Sequence, residues 1–422
     1  MDAPYRYENL PLDTPDDDPR WAAYLDIFNA GFLDRRSGDK SVETFRRHRR
    51  ADTAELGMIT AEGPGLDGRQ PVAAFASAPF TLNAGAGIVD CQVINTIAVR
   101  ASHRRRGLLT AMMDEQLGAM RARGLGCATL SASEATIYGR YGFGVVNRLA
   151  EIAVDTKKFR LADHAPVVDG TVEFVDPDTL TDHFERINQA HQLRHRGAFG
   201  RQHGHFLTTT GAWDREDEGP SRGLRALVHF GTDGVPDGYA VFRHKGWDSK
   251  PITTQVAELC SADPTIDLAL WQGLASIDLV ERLTATVSVG DPLPYALADP
   301  WAVECTGVED GAWLRILDLP TAVAERGFDT DGEVDLPRVL ELDAEVRHLA
   351  GVLERVGDLG VGRSGGGDAD HADPGDECGA RRQAGGEALG HVFSNERDAV
   401  VSSSPRSAVH RNVPTGVERR NR

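Results

Sequence analysis

The chain has 422 residues, 41% of them apolar and 26% charged, the balance of a globular protein too long for one ordinary core. Its formal net charge of −18 repels phosphate backbones and excludes nucleic acid as a general partner. No apolar run reaches the roughly 18 residues of a membrane helix, which argues against a membrane span.

The start, Met1-Asp2-Ala3-Pro4-Tyr5, lacks the basic and apolar regions of a secretion signal, so a cytoplasmic protein is expected. Cys91, Cys127, Cys260, Cys305 and Cys378 are scattered and never in a CxxC pair. Small buried thiols in a reducing compartment are expected, not a disulfide framework or a zinc site. The acidic field would draw a cationic, amine-bearing molecule towards a cleft, but it serves plain solubility equally well.

Apolar spacing predicts a helix over 22–33. A second helix contains Ser41 and Glu43 and ends in Arg46-Arg47-His48-Arg49-Arg50, read as a solvated face. Strands are predicted at 55–61, 71–78 and 87–99, then a long helix from Gly107 with Leu109, Met113, Leu117 and Met120 on one face, stopping at Gly124. A short strand at 127–132 precedes a compact segment at 137–143. A second α/β unit follows, with helices at 180–190 and 266–279 and strands at 224–230 and 237–244. Trp313-Leu314-Arg315-Ile316-Leu317 reads as a strand, and Pro320 opens a helix at 321–326. Residues 356–422 contain 12 Gly but only 11 residues from Val, Ile, Leu, Met and Phe. Such a segment buries too little apolar surface to offset chain entropy, and disorder is expected.

The chemistry concentrates in Ile97-Ala98-Val99-Arg100-Ala101-Ser102-His103-Arg104-Arg105-Arg106-Gly107-Leu108-Leu109. A strand runs into an arginine-rich turn, and a glycine opens a helix whose N-terminus carries about half a positive charge. Such a corner seats a pyrophosphate, though a capped surface helix with exposed arginines has the same composition. Ser131-Ala132-Ser133-Glu134-Ala135-Thr136-Ile137-Tyr138-Gly139-Arg140-Tyr141-Gly142-Phe143-Gly144 follows.

With both motifs in this order, the sequence resembles the enhanced intracellular survival (Eis) family of GNAT acetyltransferases, over roughly residues 20–330. The resemblance implies an α/β (α+β) fold of tandem GNAT-like domains with mixed, splayed sheets, followed by a sterol-carrier-like domain. The expected boundaries are 1–150 for the catalytic domain, 151–298 for a degenerate GNAT-like domain, 299–355 for a partial sterol-carrier-like domain and 356–422 for the tail. It further implies acetyl-CoA as co-substrate, an amine-bearing small molecule (aminoglycoside-like) or a lysine side chain as acceptor, and a homohexamer. Carried over by position, main-chain groups of Ile97, Ala98 and Val99 meet the pantetheine arm. Arg105, Arg106, Gly107, Leu108, Leu109 and Thr110 surround the pyrophosphate, and Ser133 and Glu134 line the cofactor. Tyr138 is the general acid that protonates the departing thiolate, a role a phenol suits, while Tyr141 and Phe143 are core aromatics. Asp34 matches an acidic residue that meets the acceptor, and an exposed helix-terminal aspartate is the other reading.

The family's proton acceptor is the chain's own terminal carboxylate, usually on an aromatic residue. That role falls here to Arg422, after Glu418-Arg419-Arg420-Asn421, and the family's Tyr-Leu-Gly-Gly stretch is absent from the last 70 residues. A lysine-free Gly/Arg/Ala/Ser bias suggests a shifted reading frame after residues 340–355, testable in the other two frames of the source DNA. His191, His195, His203 and His205 invite a metal reading, but no cysteine or HExxH glutamate accompanies them and Arg194, Arg196 and Arg201 would repel a cation, so no metal is expected. The competing functional class is an acetyl-CoA-binding pseudoenzyme or a lipid-binding protein.

Overall fold

The computed structural model describes residues 5–63 and 68–327. In chain order the first half contains β1 (Tyr5–Asn9), α1 (Arg20–Gly31), α2 (Asp39–Ala51), β2 (Glu55–Glu62), β3 (Arg69–Asn83), β4 (Ile88–Val99), α3 (Leu108–Ala122), β5 (Cys127–Ser131), α4 (Ala135–Tyr138) and β6 (Gly144–Val145). The second contains β7 (Arg148–Asp155), β8 (Thr171–Val175), α5 (Phe184–Arg194), α6 (His203–Thr209), β9 (Leu224–Phe230), β10 (Pro236–His244), β11 (Thr253–Ser261), α7 (Pro264–Ala275), β12 (Arg282–Ser288), β13 (Val303–Asp310), β14 (Ala312–Ile316) and α8 (Leu319–Arg326). No helix among the described residues is long and apolar enough to cross a membrane.

Two seven-stranded sheets result, ordered β1-β2-β3-β4-β5-β14-β6 and β8-β9-β10-β11-β12-β7-β13. Within each, one parallel pair, β4 with β5 or β11 with β12, is joined by a crossover helix, α3 or α7, and the remaining pairs are antiparallel. The orders superpose strand for strand, which makes the second half a structural repeat of the first. The match also exposes an exchange: β7 holds in the second sheet the place that β14 holds in the first.

That exchange corrects the expected boundaries. A cut at residue 150 divides β7, which pairs with β12 and β13. The strand at 312–316, expected to begin a third domain at 299, instead pairs with β5 along Ala312–Ile316 and with β6 at Trp313 and Leu314. Residues 299–327 therefore complete the two sheets, and the sterol-carrier-like segment, the tail and Arg422 lie outside the described residues beyond 327.

The first sheet buries both faces. Trp21, Tyr24, Ile27 and Phe28 of α1 and Phe45 of α2 pack on one side, and Leu108, Met112, Met113, Leu117 and Met120 of α3 on the other. Each such side chain contributes about 1.5–3 kcal/mol. The stripe on α3 sits slightly off the expected one, because Leu108 is buried and Leu109 only half-buried. Gly124, at φ +77, closes α3 by taking the left-handed conformation.

The run Arg46–Arg50 is not a solvated face. Arg49 is 2% exposed, donating to Asn95 Oδ1 at 3.0 Å and to Thr96 Oγ1 at 2.5 Å. Arg50 donates to the carbonyls of Leu12 and Thr14 and to Asp16, and Arg46 also pairs with Asp16. Only Arg47 is left exposed. Cys91, Cys127 and Cys260 are buried thiols, but Cys305 lies exposed on β13, against the expectation of burial. Cys378 is outside the described residues.

Candidate active site

β4 leaves its neighbours in two ways. Against β3 its register slips between Asn95 and Ala98, a bulge around Thr96, whose φ is +51. Against β5 it pairs only at Gln92, Val93 and Ile94. Beyond Ile94 the parallel strands part, and a cleft opens between them. Asn95, Thr96 and Ile97 form one wall, and Ser131, Ser133 and Tyr138 the other. Phe28 and Phe32 of α1 and Gln202 and His205 of the second half close it.

The chain leaves β4 through a turn in which Arg105 and Gly107 are left-handed, at φ +61 and +75. Gly107 caps α3, and a Cβ there would meet nothing within 4 Å, so the glycine serves its backbone angle and an open approach to the helix end. The first intrahelical bond is Ala111 N–H to Gly107 O at 2.9 Å, so the amides of Leu108, Leu109 and Thr110 precede the helical ladder. Among the described residues no side chain caps them, and the first turn of α3 holds no acid. Arg104, Arg105, Arg106 and Gly107 are exposed, and Arg106 donates to the Tyr5 hydroxyl at 2.7 Å and to Ser102 O at 3.2 Å, bracing the corner. Oriented amides, a positive helix end and exposed guanidinium groups suit a diphosphate. Leu108 and Leu109 contribute main-chain groups only, since their side chains pack inward.

The second half supplies an internal comparison. At the matching corner Asp263 caps α7, accepting from Thr265 N at 2.9 Å, and Asp267 lies in the first turn. Burial pushes the Asp267 carboxyl up to about 7. Carboxyl groups already occupy that helix end, so it offers an anion no seat.

Tyr138 is buried at the end of α4, in the core cluster that includes Tyr141, Phe143 and Trp313. The Tyr141 carbonyl accepts from Arg315 of β14, and its hydroxyl lies 3.0 Å from Thr110 Oγ1. The inserted strand thus supports the turn that carries Tyr138. Ile97 and Ser133 line the cleft, whereas Ala98 is buried with its Cβ under Gly31 and Glu134 is exposed outside the lining.

A second cleft adjoins the first, sharing Phe28 and Thr96. Ser41, Thr44, Phe45, His48 and Arg49 of α2, Leu207 and Thr208 of α6, and Trp213 and Arg215 line it. None of the described residues lining either cleft is an aspartate or glutamate. Asp34 does not line them: it forms an ion pair with Arg215, largely shielded from solvent. It is therefore neither a free acceptor-binding carboxylate nor an exposed helix-terminal one.

The four histidines do not form a metal centre. His191 Nδ1 lies 2.7 Å from Ser261 O, and burial lowers the ring to about 4. His195 Nδ1 lies 3.0 Å from His191 O, and His205 Nδ1 accepts from the Gln202 amide at 3.1 Å, capping α6. Sequence reasoning missed α6 as a cleft wall and α2 as the carrier of His48 and Arg49. The helical spacing of Phe45 and His48 on α2 was the available signal for the latter.

Residues 17–146 match one acetyltransferase (GNAT) domain family, and residues 197–316 match a second. The chain is 33% identical over 340 residues to an uncharacterized N-acetyltransferase of Streptomyces avermitilis, covering 78% of each protein. It is 33% identical over 244 residues to the N-acetyltransferase Eis of Mycobacterium tuberculosis, covering 56% of this chain and 57% of that protein. Among solved structures, Eis1 from Mycobacterium abscessus superposes with a TM-score of 0.60 at 23% identity over 76% of each chain, a likeness of fold. A probable N-acyltransferase from Enterococcus faecalis gives 0.58 at 17% identity over 75% of this chain and 74% of that one.

Proposed function

Because the chain belongs to the Eis family of GNAT N-acetyltransferases, we propose that it transfers the acetyl group of acetyl-CoA directly to a primary amine at the cleft between β4 and β5. GNAT domains take acetyl-CoA as co-substrate, and the corner at Gly107 fits its diphosphate. The amides of Leu108, Leu109 and Thr110, with Arg105 and Arg106, hold it there. Main-chain groups of Ile97, Ala98 and Val99 take the pantetheine arm as an added strand, the use to which a parted sheet edge lends itself. Ser133 lies against the arm from the facing wall, with Glu134 at the rim.

The amine attacks the thioester carbonyl, and the Tyr138 hydroxyl gives its proton to the leaving sulfur. The adjoining cleft of α2 and α6 takes the acceptor. An aminoglycoside-like polyamine or a lysine side chain is the acceptor class, and the described lining favours binding through polar and aromatic contacts rather than through paired carboxylates. The family resemblance extends the proposal to a hexameric assembly.

One observation carries this reading: the uncapped, acid-free start of α3 lies beside a parted strand pair that has Tyr138 on its far wall. The test is thiol release from acetyl-CoA across a panel of aminoglycosides, polyamines and lysine peptides. Turnover should appear with at least one acceptor class and fall about 10²–10³-fold in Tyr138→Phe, with acetyl-CoA affinity unchanged. Equal turnover in that variant would remove Tyr138 from its role.

A further inference from the structure

We propose that Gln202, from the second half of the chain, is a catalytic residue of the site in the first half. Its side-chain Nε2 donates a hydrogen bond to the thioester oxygen as negative charge builds there, an inference that rests on the acetyl-transfer reading above. Gln202 lines the same cleft as Tyr138 and is only 7% exposed. Its Nε2 is shut off from solvent and has no hydrogen-bond partner among the described residues. A buried N–H without an acceptor is costly and uncommon in folded proteins, and an oxygen brought in by a ligand relieves it.

The rest of the side chain is committed. Its carboxamide oxygen accepts from the His205 amide, and the Gln202 amide donates to His205 Nδ1 at 3.1 Å, a reciprocal box that opens α6. With the oxygen held by an N–H, the carboxamide cannot turn over without losing the cap, so Nε2 is the atom left to the cleft. The residues on both sides are pinned as well. Arg201 donates to Asn188 Oδ1 at 3.0 Å and to Glu258 Oε1 at 2.7 Å. The His203 amide donates to Oδ1 of Asp52, at the end of α2, at 2.7 Å. A donor fixed before the reaction needs no reorganisation as charge develops, which is what makes such groups effective.

The chemistry of the cleft suits a neutral donor. Its described lining holds no lysine or arginine, so a cationic acceptor meets no like charge there. The side-chain oxygens of Asn95 and Thr96 accept from Arg49, and the Tyr138 proton is reserved for sulfur. In the step, the amine lone pair forms the N–C bond while the carbonyl π electrons move onto oxygen. The Gln202 N–H bonds to that oxyanion without giving up its proton. The oxyanion electrons then re-form the C=O bond, the C–S electrons leave on sulfur, and sulfur takes the Tyr138 proton. The nitrogen passes its extra proton to the reaction's proton acceptor, and solvent restores the Tyr138 hydroxyl.

The experiment compares wild type, Gln202→Glu and Gln202→Asn in the full chain. A glutamate keeps an oxygen for the His205 amide but presents no donor, and an asparagine caps a helix well while its amide is one methylene shorter. Both should lose about 10²–10³-fold in kcat, with the acceptor KM and the acetyl-CoA affinity unchanged. Infrared difference spectra of bound acetyl-CoA, isotope-labelled at the carbonyl, should show the C=O stretch lower in wild type than in either variant. That readout needs no acceptor, and a merely structural role would leave it where it is. Wild-type kcat in Gln202→Glu, a loss confined to KM, or a carbonyl stretch unmoved in both variants overturns the assignment of Gln202 alone. If Gln202→Glu fails to fold, the same readouts in Gln202→Asn decide. Thiol release absent from wild type with every amine overturns the acetyl-transfer reading, and this inference with it.

Discussion

Thr110→Glu separates the coenzyme seat from the stability of the helix that forms it. Thr110 is exposed in the first turn of α3, which has no acid of its own. A glutamate there gains about 0.3–1 kcal/mol from the helix dipole. The change also removes the Thr110–Tyr141 hydroxyl contact of 3.0 Å, worth about 0.5–1.5 kcal/mol. The two nearly cancel, so the melting temperature should stay within about 5 °C of wild type. Binding responds in one direction only. A carboxylate about 5 Å from one charge of a diphosphate, at an effective dielectric of about 40, costs about 1.7 kcal/mol, or nearly 20-fold in Kd. Titration calorimetry with acetyl-CoA at low and high salt measures it, and the penalty should shrink as salt screens the repulsion. Unchanged affinity in a normally folded Thr110→Glu protein would refute the placement of the diphosphate.

Two further predictions concern buried groups of the second half. Burial opposes ionisation of Glu258, yet Arg201 at 2.7 Å and the Thr209 hydroxyl hold its carboxyl below the ordinary value. Its contribution is present above the unfolded-state value and is lost as pH falls through the folded one. Glu258→Gln, which leaves Arg201 without its carboxylate, should cost about 3–5 kcal/mol at neutral pH by chemical denaturation. The difference from wild type should narrow in acid. Asp267 runs the opposite way: raised from 3.8 to about 7, its folded form holds a proton that the unfolded chain releases. Stability from this group is full below about pH 4 and falls until pH 7. Asp267→Asn, which keeps an acceptor for Ser261, should match wild type near pH 4 and melt higher above pH 7.

The corner at Gly107 was legible because its chemistry is local: a strand, a run of arginines and a left-handed glycine are contiguous. The Tyr138 turn was legible for the same reason. The strand exchange was not, because Ala312–Ile316 reads as a strand in either sheet and only long-range pairing with β5 and β6 decides between them. Arg49 misled for a related reason. Guanidinium groups usually remain solvated, and nothing near it in sequence announces the Asn95 and Thr96 oxygens at the bulge. Histidines 191, 195, 203 and 205 invited a metal reading that the neighbouring arginines argued against; in the fold the His205 ring caps α6 and the His203 amide holds Asp52. Asp34 was singled out as an acid for the acceptor, while its ion-pair partner Arg215, 181 positions later, was beyond local reasoning.

The most direct measurement is a crystal structure of the protein with acetyl-CoA. Diphosphate oxygens should lie within hydrogen-bond reach of the amides at residues 108–110, the pantetheine arm between Ile97 and Ser133, and the thioester sulfur beside Tyr138 Oη. Coenzyme seated instead at the start of α7, against Asp263, would contradict this placement.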